Sequence, residues 1–166
     1  MFKKISPEKL NKNAIHLLSK DWMLITAGEL ENFNNMTASW GGFGYLWNKP
    51  VAYIFVRPPR YTYEFIEKND FFTISFFEET FRDMLNLAGT KSGREIDKMQ
   101  GLGLTPIKST NNSIYYKEAS IVLECRKLYF SDIDSNHFID ENIIKNYPKH
   151  DFHRMYIAEI TETLIK

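Results

Sequence analysis

Four short stretches of this chain carry residues that could do chemistry. The segment Val56-Arg-Pro-Pro-Arg-Tyr-Thr62 groups two guanidinium cations, Arg57 and Arg60, with the Thr62 hydroxyl and the free amides of a helix start. Cations combined with neutral donors hold an anion, and phosphate suits them best. Two solvated arginines beside a proline turn are the plainer alternative. The segment Asn34-Asn-Met-Thr-Ala-Ser-Trp-Gly-Gly42 sets small hydroxyl residues before two glycines. A ligand can approach such a backbone closely, and strand-end N–H groups can bond a flat heterocycle that carries carbonyl and imine acceptors. A polar strand ending in a glycine turn has the same composition. The loop Thr90-Lys-Ser-Gly-Arg-Glu-Ile-Asp-Lys98 adds three cations and two hydroxyls, which could close over the same phosphate or simply face water. Last, His150-Asp-Phe-His153 places two imidazoles three residues apart, but no cysteine or carboxylate cluster supports a metal there.

Other chemistries lack their signatures. No GxxxxGK[ST] loop suggests triphosphate hydrolysis, and no GxGxxG follows a strand as a Rossmann site requires. No G-x-S-x-G elbow is present. Cys125 is the sole cysteine and sits in an apolar run, so it reads as core, with neither disulfide nor thiolate cage within reach. Lys and Arg number 21 against 21 Asp and Glu, so no basic face for nucleic acid is indicated. The opening residues lack an apolar signal core, and no apolar run approaches the roughly 20 residues of a membrane span. A soluble, cytoplasmic protein with no membrane or nucleic-acid partner is the expectation.

The elements that must position these residues follow from patterning. At 166 residues, one domain over 1–166 is expected, large enough to build a core without cross-links. A helix is expected from the Ser6-Pro7 start to about Ser19. Strands are expected at 22–27, 36–40, 51–57, 71–77, 114–116, 119–130 and 154–165. Residues 28–35 read as a turn region, and 43–47 as a glycine-punctuated loop. Helices are expected at 60–68 and 78–88, the second stopped by Gly89, with a helical turn at 97–101. Long strands with few short helices predict a mainly β fold, an antiparallel barrel of six or seven strands with peripheral helices.

Taken together, the segments resemble the flavin reductase-like family with its FMN-binding split barrel, closest to the flavoredoxin branch. The matching pieces are Asp21-Trp-Met-Leu24, Asn34-x-Met-Thr-Ala-Ser-Trp-Gly-Gly42, Lys49-Pro-Val-Ala52, Val56-Arg-Pro-Pro-Arg-Tyr-Thr62 with Phe65-Ile66, Ser92-Gly-Arg-x-x-Asp-Lys98, and His153-x-x-Tyr-Ile-x-Glu-Ile160. They span about Asp21 to Ile160 in the right order. The resemblance implies that Met36, Thr37, Ala38, Ser39 and Trp40 lie along the isoalloxazine, mostly through backbone groups. It implies that Arg57, Arg60 and Thr62 face the ribityl phosphate of FMN, with Ser92 and Lys98 closing from the loop. It places His153 near the flavin or the incoming nicotinamide, as the candidate catalytic residue. Two positions depart from the family pattern: Met99 stands where Phe is frequent, and Ala158 where the last strand commonly has Gly.

The function implied is an FMN-binding oxidoreductase taking electrons from NADH or NADPH, with redox chemistry that belongs to the flavin. The rival is a non-enzymatic FMN carrier exchanging electrons with a protein partner; a related barrel holding haem would leave the phosphate constellation without a role. The resemblance also implies a homodimer with FMN near the subunit interface. The aromatic and apolar residues Phe43, Tyr45, Leu46 and Trp47 would line that interface or, alternatively, plug one mouth of the barrel.

Overall fold

In a computed structural model, which describes residues 1–96 and 101–166, the chain forms an antiparallel sheet wrapped around an apolar core. The strands are β1 (Lys3–Ile5), β2 (Met23–Glu29), β3 (Asn32–Ala38), β4 (Gly41–Leu46), β5 (Lys49–Val56), β6 (Phe71–Phe76), β7 (Pro106–Lys108), β8 (Ile114–Tyr116), β9 (Ile121–Asp132) and β10 (Arg154–Ile165). The helices are α1 (Ala14–His16), α2 (Tyr61–Lys68) and α3 (Arg82–Thr90), with several shorter helical turns. The main sheet has eight strands, where six or seven were expected, in the order β3-β2-β6-β9-β10-β5-β4, with β1 added beside β10. β7 and β8 form a separate hairpin.

The two end strands of the main path, β3 and β4, are consecutive in sequence, joined only by Ser39 and Trp40. Among the described residues no ladder links them, so the sheet is split there. It nonetheless curls on itself. Phe43 of β4 packs edge-on against Phe76 of β6, ring centroids 6.1 Å apart. Period-two alternation puts Ile25, Ile54, Ile74, Leu123 and Tyr156 from five strands into one inner cluster. A second cluster lies outside, where Met84, Leu85 and Ala88 of α3 cover Leu24 and Val122. β2 is therefore covered on both faces, which explains why 22–27 is apolar but for Thr26 rather than alternating; the Thr26 hydroxyl donates to the Tyr116 hydroxyl at 3.2 Å. No helix among the described residues is long and apolar enough to cross a membrane.

Several expectations need correction. Residues 28–35 are not a turn region. β2 runs to Glu29, β3 starts at Asn32, and Asn34 and Asn35 are buried. Residues 43–47 belong largely to β4, which pairs with β5 from Gly41↔Ile54 to Leu46↔Lys49. The hairpin turns at Trp47 and Asn48, whose φ angles of 51° and 57° both lie in the left-handed region. Such a mirror-image turn matches the strand twist. The ring of Tyr53 lies over Gly42 and Gly44, within 3.4 Å of where either Cβ would sit, so the glycines make room for an aromatic cover. Gly89 does not stop α3, which continues to Thr90; it packs instead against Thr37, 3.3 Å from where its Cβ would be. The expected N-terminal helix is broken. Pro7–Lys9 is one tight helical turn, and α1 starts afresh with the Asn13 side chain accepting from the His16 amide at 3.0 Å. The helical turn expected at 97–101 falls mostly outside the described residues.

Candidate functional site

Two clefts open at the split, and they meet at one side chain. The first, 200 Å³, is lined by Met36, Thr37, Ala38, Ser39, Trp40, Phe55, Arg57, Arg60 and His153. The second, 90 Å³, is lined by Asn34, Arg60, Thr62 and the 90–93 loop including Ser92. Arg60 belongs to both. The fold therefore gathers the expected site residues from the end of β3, the β3–β4 link, the end of β5, the start of α2, the loop after α3 and the entrance to β10. Lys98 lies outside the described residues.

β3 is an edge strand paired only with β2, so its outer edge faces the first cleft without a partner strand among the described residues. This agrees with a ligand bound through backbone groups. The side chains do other work. Met36 is buried in the core, and the Thr37 hydroxyl donates to the Leu85 carbonyl at 2.6 Å, tying β3 to α3.

Arg60 ends the turn that follows β5, and its extended backbone starts α2. Its Nη1 donates to the Gly89 carbonyl at 2.7 Å. Its Nη2 is buried and has no hydrogen-bond partner among the described residues. Burial, with the like charge of Arg57 added, pushes the Arg60 guanidinium below its usual range. A half-buried cation with a buried spare donor and no carboxylate among the described residues to match it calls for an anion. Thr62, fully buried, accepts from Asn34 Nδ2 at 2.8 Å. Its own proton is left to donate. A phosphate monoester fits this donor set.

Arg57 lines the first cleft, but its guanidinium does not stand free for a phosphate as expected. Nη1 donates to both Asp151 carboxylate oxygens at 3.2 and 3.1 Å, and Nη2 to the Asn146 carbonyl at 2.9 Å. Its place is beside His153, not beside Thr62. Ser92 lines the second cleft, where its hydroxyl accepts from the Arg94 amide at 3.2 Å.

His153 is 8% exposed at the start of β10. The Trp40 ring lies 5.2 Å from it and Phe55 meets it edge-on at 6.4 Å. Its Nδ1 is 2.9 Å from the Tyr147 hydroxyl. Burial, helped by Arg57 and opposed by Asp151, pulls its pKa down to about 4, so the imidazole is neutral at pH 7. Asn34 and Asp151 were within the segments singled out in the sequence but carried no assigned role. Phe55 and Tyr147 were missed: Phe55 looks like any strand residue, and Tyr147 sits in a stretch without periodicity.

Residues 15–165 match the flavin reductase-like domain family. No curated protein sequence matches the chain. Solved structures share the fold. An FMN-binding domain of a flavin reductase-like enzyme from Shewanella baltica is 18% identical, with a TM-score of 0.73 over 99% of this chain and 77% of that one. Flavoredoxin from Methanosarcina acetivorans is 21% identical, with a TM-score of 0.68 over 98% and 76%. An NADH:FAD oxidoreductase from Streptomyces globisporus, solved with NAD and FAD fragments, is 14% identical, with a TM-score of 0.67 over 88% and 74%. With the family match covering nearly the whole chain, and the mainly β split sheet agreeing with it, the chain belongs to the flavin reductase-like domain family.

Proposed function

We propose that this protein binds FMN across the two clefts and works as an oxidoreductase that takes electrons from NADH or NADPH. The observation that carries this reading is the buried Nη2 of Arg60, unpartnered among the described residues, at the point where the clefts meet. Arg60 and Thr62, with Ser92 from the loop, would hold the phosphate. The outer edge of β3 and the Ser39-Trp40 link would hold the ring system. Bound FMN supplies hydride acceptance and electron storage. The chain's part is to bind and orient: Arg60 offsets the dianion, Trp40 and Phe55 shield the ring end from water, and His153 offers a hydrogen bond there.

The same reading makes the protein a homodimer with the site near the subunit interface. Tyr45, Trp47, Tyr129 and Phe130 are all exposed, and the Trp47 and Tyr129 rings meet at 6.1 Å, which supports an apolar contact face beside the β4–β5 turn. A second reading is favoured by Trp40, which stands 46% exposed at the rim of the ring cleft. An aromatic there suits electron exchange with a docked redox protein, without nicotinamide chemistry.

The test is reconstitution with FMN followed by steady-state NADH and NADPH oxidation. Flavin absorbance retained after gel filtration, together with turnover, supports the reductase. Retained flavin without turnover supports the carrier. Failure to take up FMN overturns both.

A further inference from the structure

We propose that Tyr147 is a positioning residue, which donates its hydroxyl proton to His153 Nδ1 so that Nε2–H faces the cleft as a donor for the carbonyl oxygen of a flat heteroaromatic amide. The inference rests on the flavin and nicotinamide reading of that cleft and deepens it.

The geometry begins with the 2.9 Å contact between the Tyr147 hydroxyl and Nδ1. Tyr147 is only 3% exposed, and Nδ1 is its hydroxyl's hydrogen-bond partner among the described residues. If Nδ1 carried the ring proton and donated it, the phenol would keep its own proton with no acceptor in a buried place, which is costly. The phenol therefore donates, and the neutral ring carries its proton on Nε2. His153 lines the ring cleft and Tyr147 does not, so the ring edge opposite Tyr147 is the one turned to a ligand.

Tyr147 is itself held on several sides. The Arg57 guanidinium sits over its ring, 5.2 Å from the centroid. Arg57 also bonds the Asn146 carbonyl and Asp151, so the chain is tied to the end of β5 both before and after Tyr147. Phe152 packs 4.9 Å away and Phe138 stacks at 6.1 Å. Trp40 lies 5.2 Å from His153, so the imidazole is packed by rings from both the β3–β4 link and the 147 region. Burial and the Arg57 charge both disfavour an imidazolium, in keeping with a neutral donor. A neutral N–H suits a neutral carbonyl acceptor, and two such acceptors are available in this chemistry: the carboxamide of a nicotinamide and the ring carbonyls of a flavin.

The experiment is nitrogen-15 NMR of histidine-labelled protein, with and without FMN, on wild type and Tyr147→Phe. The variant keeps the ring and its packing. In wild type the expected signature is a protonated Nε2 and an unprotonated Nδ1. In Tyr147→Phe the tautomers mix and the His153 pKa rises, because the hydrogen bond that favours the neutral form is gone. Ligand affinity in the variant should weaken about three- to tenfold, as expected for one neutral hydrogen bond. A weaker FMN and riboflavin affinity assigns the carbonyl to the flavin. A raised KM for the reduced nicotinamide at unchanged flavin affinity assigns it to the carboxamide. A protonated Nδ1 in wild type overturns the proposal, as does a variant with unchanged tautomer or with both affinities unchanged. If the variant does not fold, the wild-type spectrum alone decides the tautomer. Flavin uptake with Nδ1 protonated sinks this inference only, whereas no flavin uptake sinks the functional reading and the assigned ligand with it.

Discussion

Arg60 and Gly89 are joined by a 2.7 Å hydrogen bond that locks the guanidinium between α2 and the end of α3 while leaving Nη2 unmatched among the described residues. The side chain is thus preorganised toward one direction. A charge-assisted hydrogen bond contributes about 1.5–3 kcal/mol. Arg60→Ala should weaken FMN binding by about ten- to a hundredfold. Riboflavin, which lacks the phosphate, should lose little. Flavin-fluorescence titrations with both ligands check this, and equal losses would show that Arg60 does not bind phosphate.

Thr62 should discriminate in the same way on a smaller scale. Thr62→Val removes the hydroxyl and strands the Asn34 amide that donates to it. FMN affinity should fall about three- to tenfold and thermal stability should drop, while Thr62→Ser should retain most of both. A Val variant with wild-type FMN affinity would remove Thr62 from the phosphate site.

Adjacent glycines after Trp40 should respond differently to the same change. A Cβ on Gly41 would stand 2.5 Å from the Tyr53 carbonyl oxygen and 2.9 Å from Met23 Cε, whereas on Gly42 its nearest neighbour is the Tyr53 ring at 3.4 Å. Gly41→Ala must push β4 off β5, with a cost of about 1–3 kcal/mol. Its Tm should fall by several degrees and flavin occupancy with it, because Trp40 moves. Gly42→Ala should stay near wild type. Differential scanning calorimetry of the pair is the measurement.

Acid should destabilise the fold in part through His153. Its folded-state pKa is lowered from 6.5 to about 4, so the unfolded chain takes up the proton first as pH falls. The stability that comes with the neutral buried ring is fully present above about 6.5 and is lost progressively down to about 4. Arg57 and Asp151, the charged groups acting on it, pull in opposite directions. Urea unfolding from pH 7.5 to 4 should show a steeper loss for wild type than for His153→Gln; parallel curves would contradict the lowered pKa.

For the homodimer, Trp47→Ala should shift the monomer–dimer equilibrium toward monomer and lower flavin occupancy. Light scattering decides: a wild-type mass near 19.6 kDa with FMN bound would exclude an obligate dimer.

What could be read from the sequence follows from the physics of each segment. Val51–Arg57 and Phe71–Phe77 were legible because both are apolar runs rich in strand formers, the first stopped by Pro58-Pro59; the observed strands are Lys49–Val56 and Phe71–Phe76. Asn34 and Asn35 misled because asparagine usually marks turns. Here the two side chains are buried donors to Thr62 and to the Tyr116 hydroxyl, partners 28 and 81 residues away. Such pairings leave no local trace. β4 was hidden for the opposite reason: Gly42 and Gly44 look like loop residues until the Tyr53 ring is seen lying over them. In the site, residue types alone left plainer alternatives open, and it was the resemblance to the flavin reductase-like family that brought Met36 to Trp40, Arg60 and Thr62 together on paper. Arg57 was not separable from Arg60 without knowing that Asp151, 94 residues on, reaches it.

The position of β10 has a consequence for how the molecule comes into being. This strand lies mid-sheet, paired to β9 along its length, to β5 from Arg154 to Glu159, and to β1 at its far end, where Ile5 meets Thr163. The residue just before it, His153, reaches a cleft whose other walls were laid down by residues 36–60. During synthesis those walls emerge long before the strand that joins them. Pairings this distant in sequence form slowly, since the connecting chain must lose its freedom before any contact rewards it. A nascent chain lacking residues 154–165 has β5 and β9 with no strand between them, and each exposes an edge. The candidate cleft is consequently an end product of folding, acquired in the same step that joins β5 to β9 through β10.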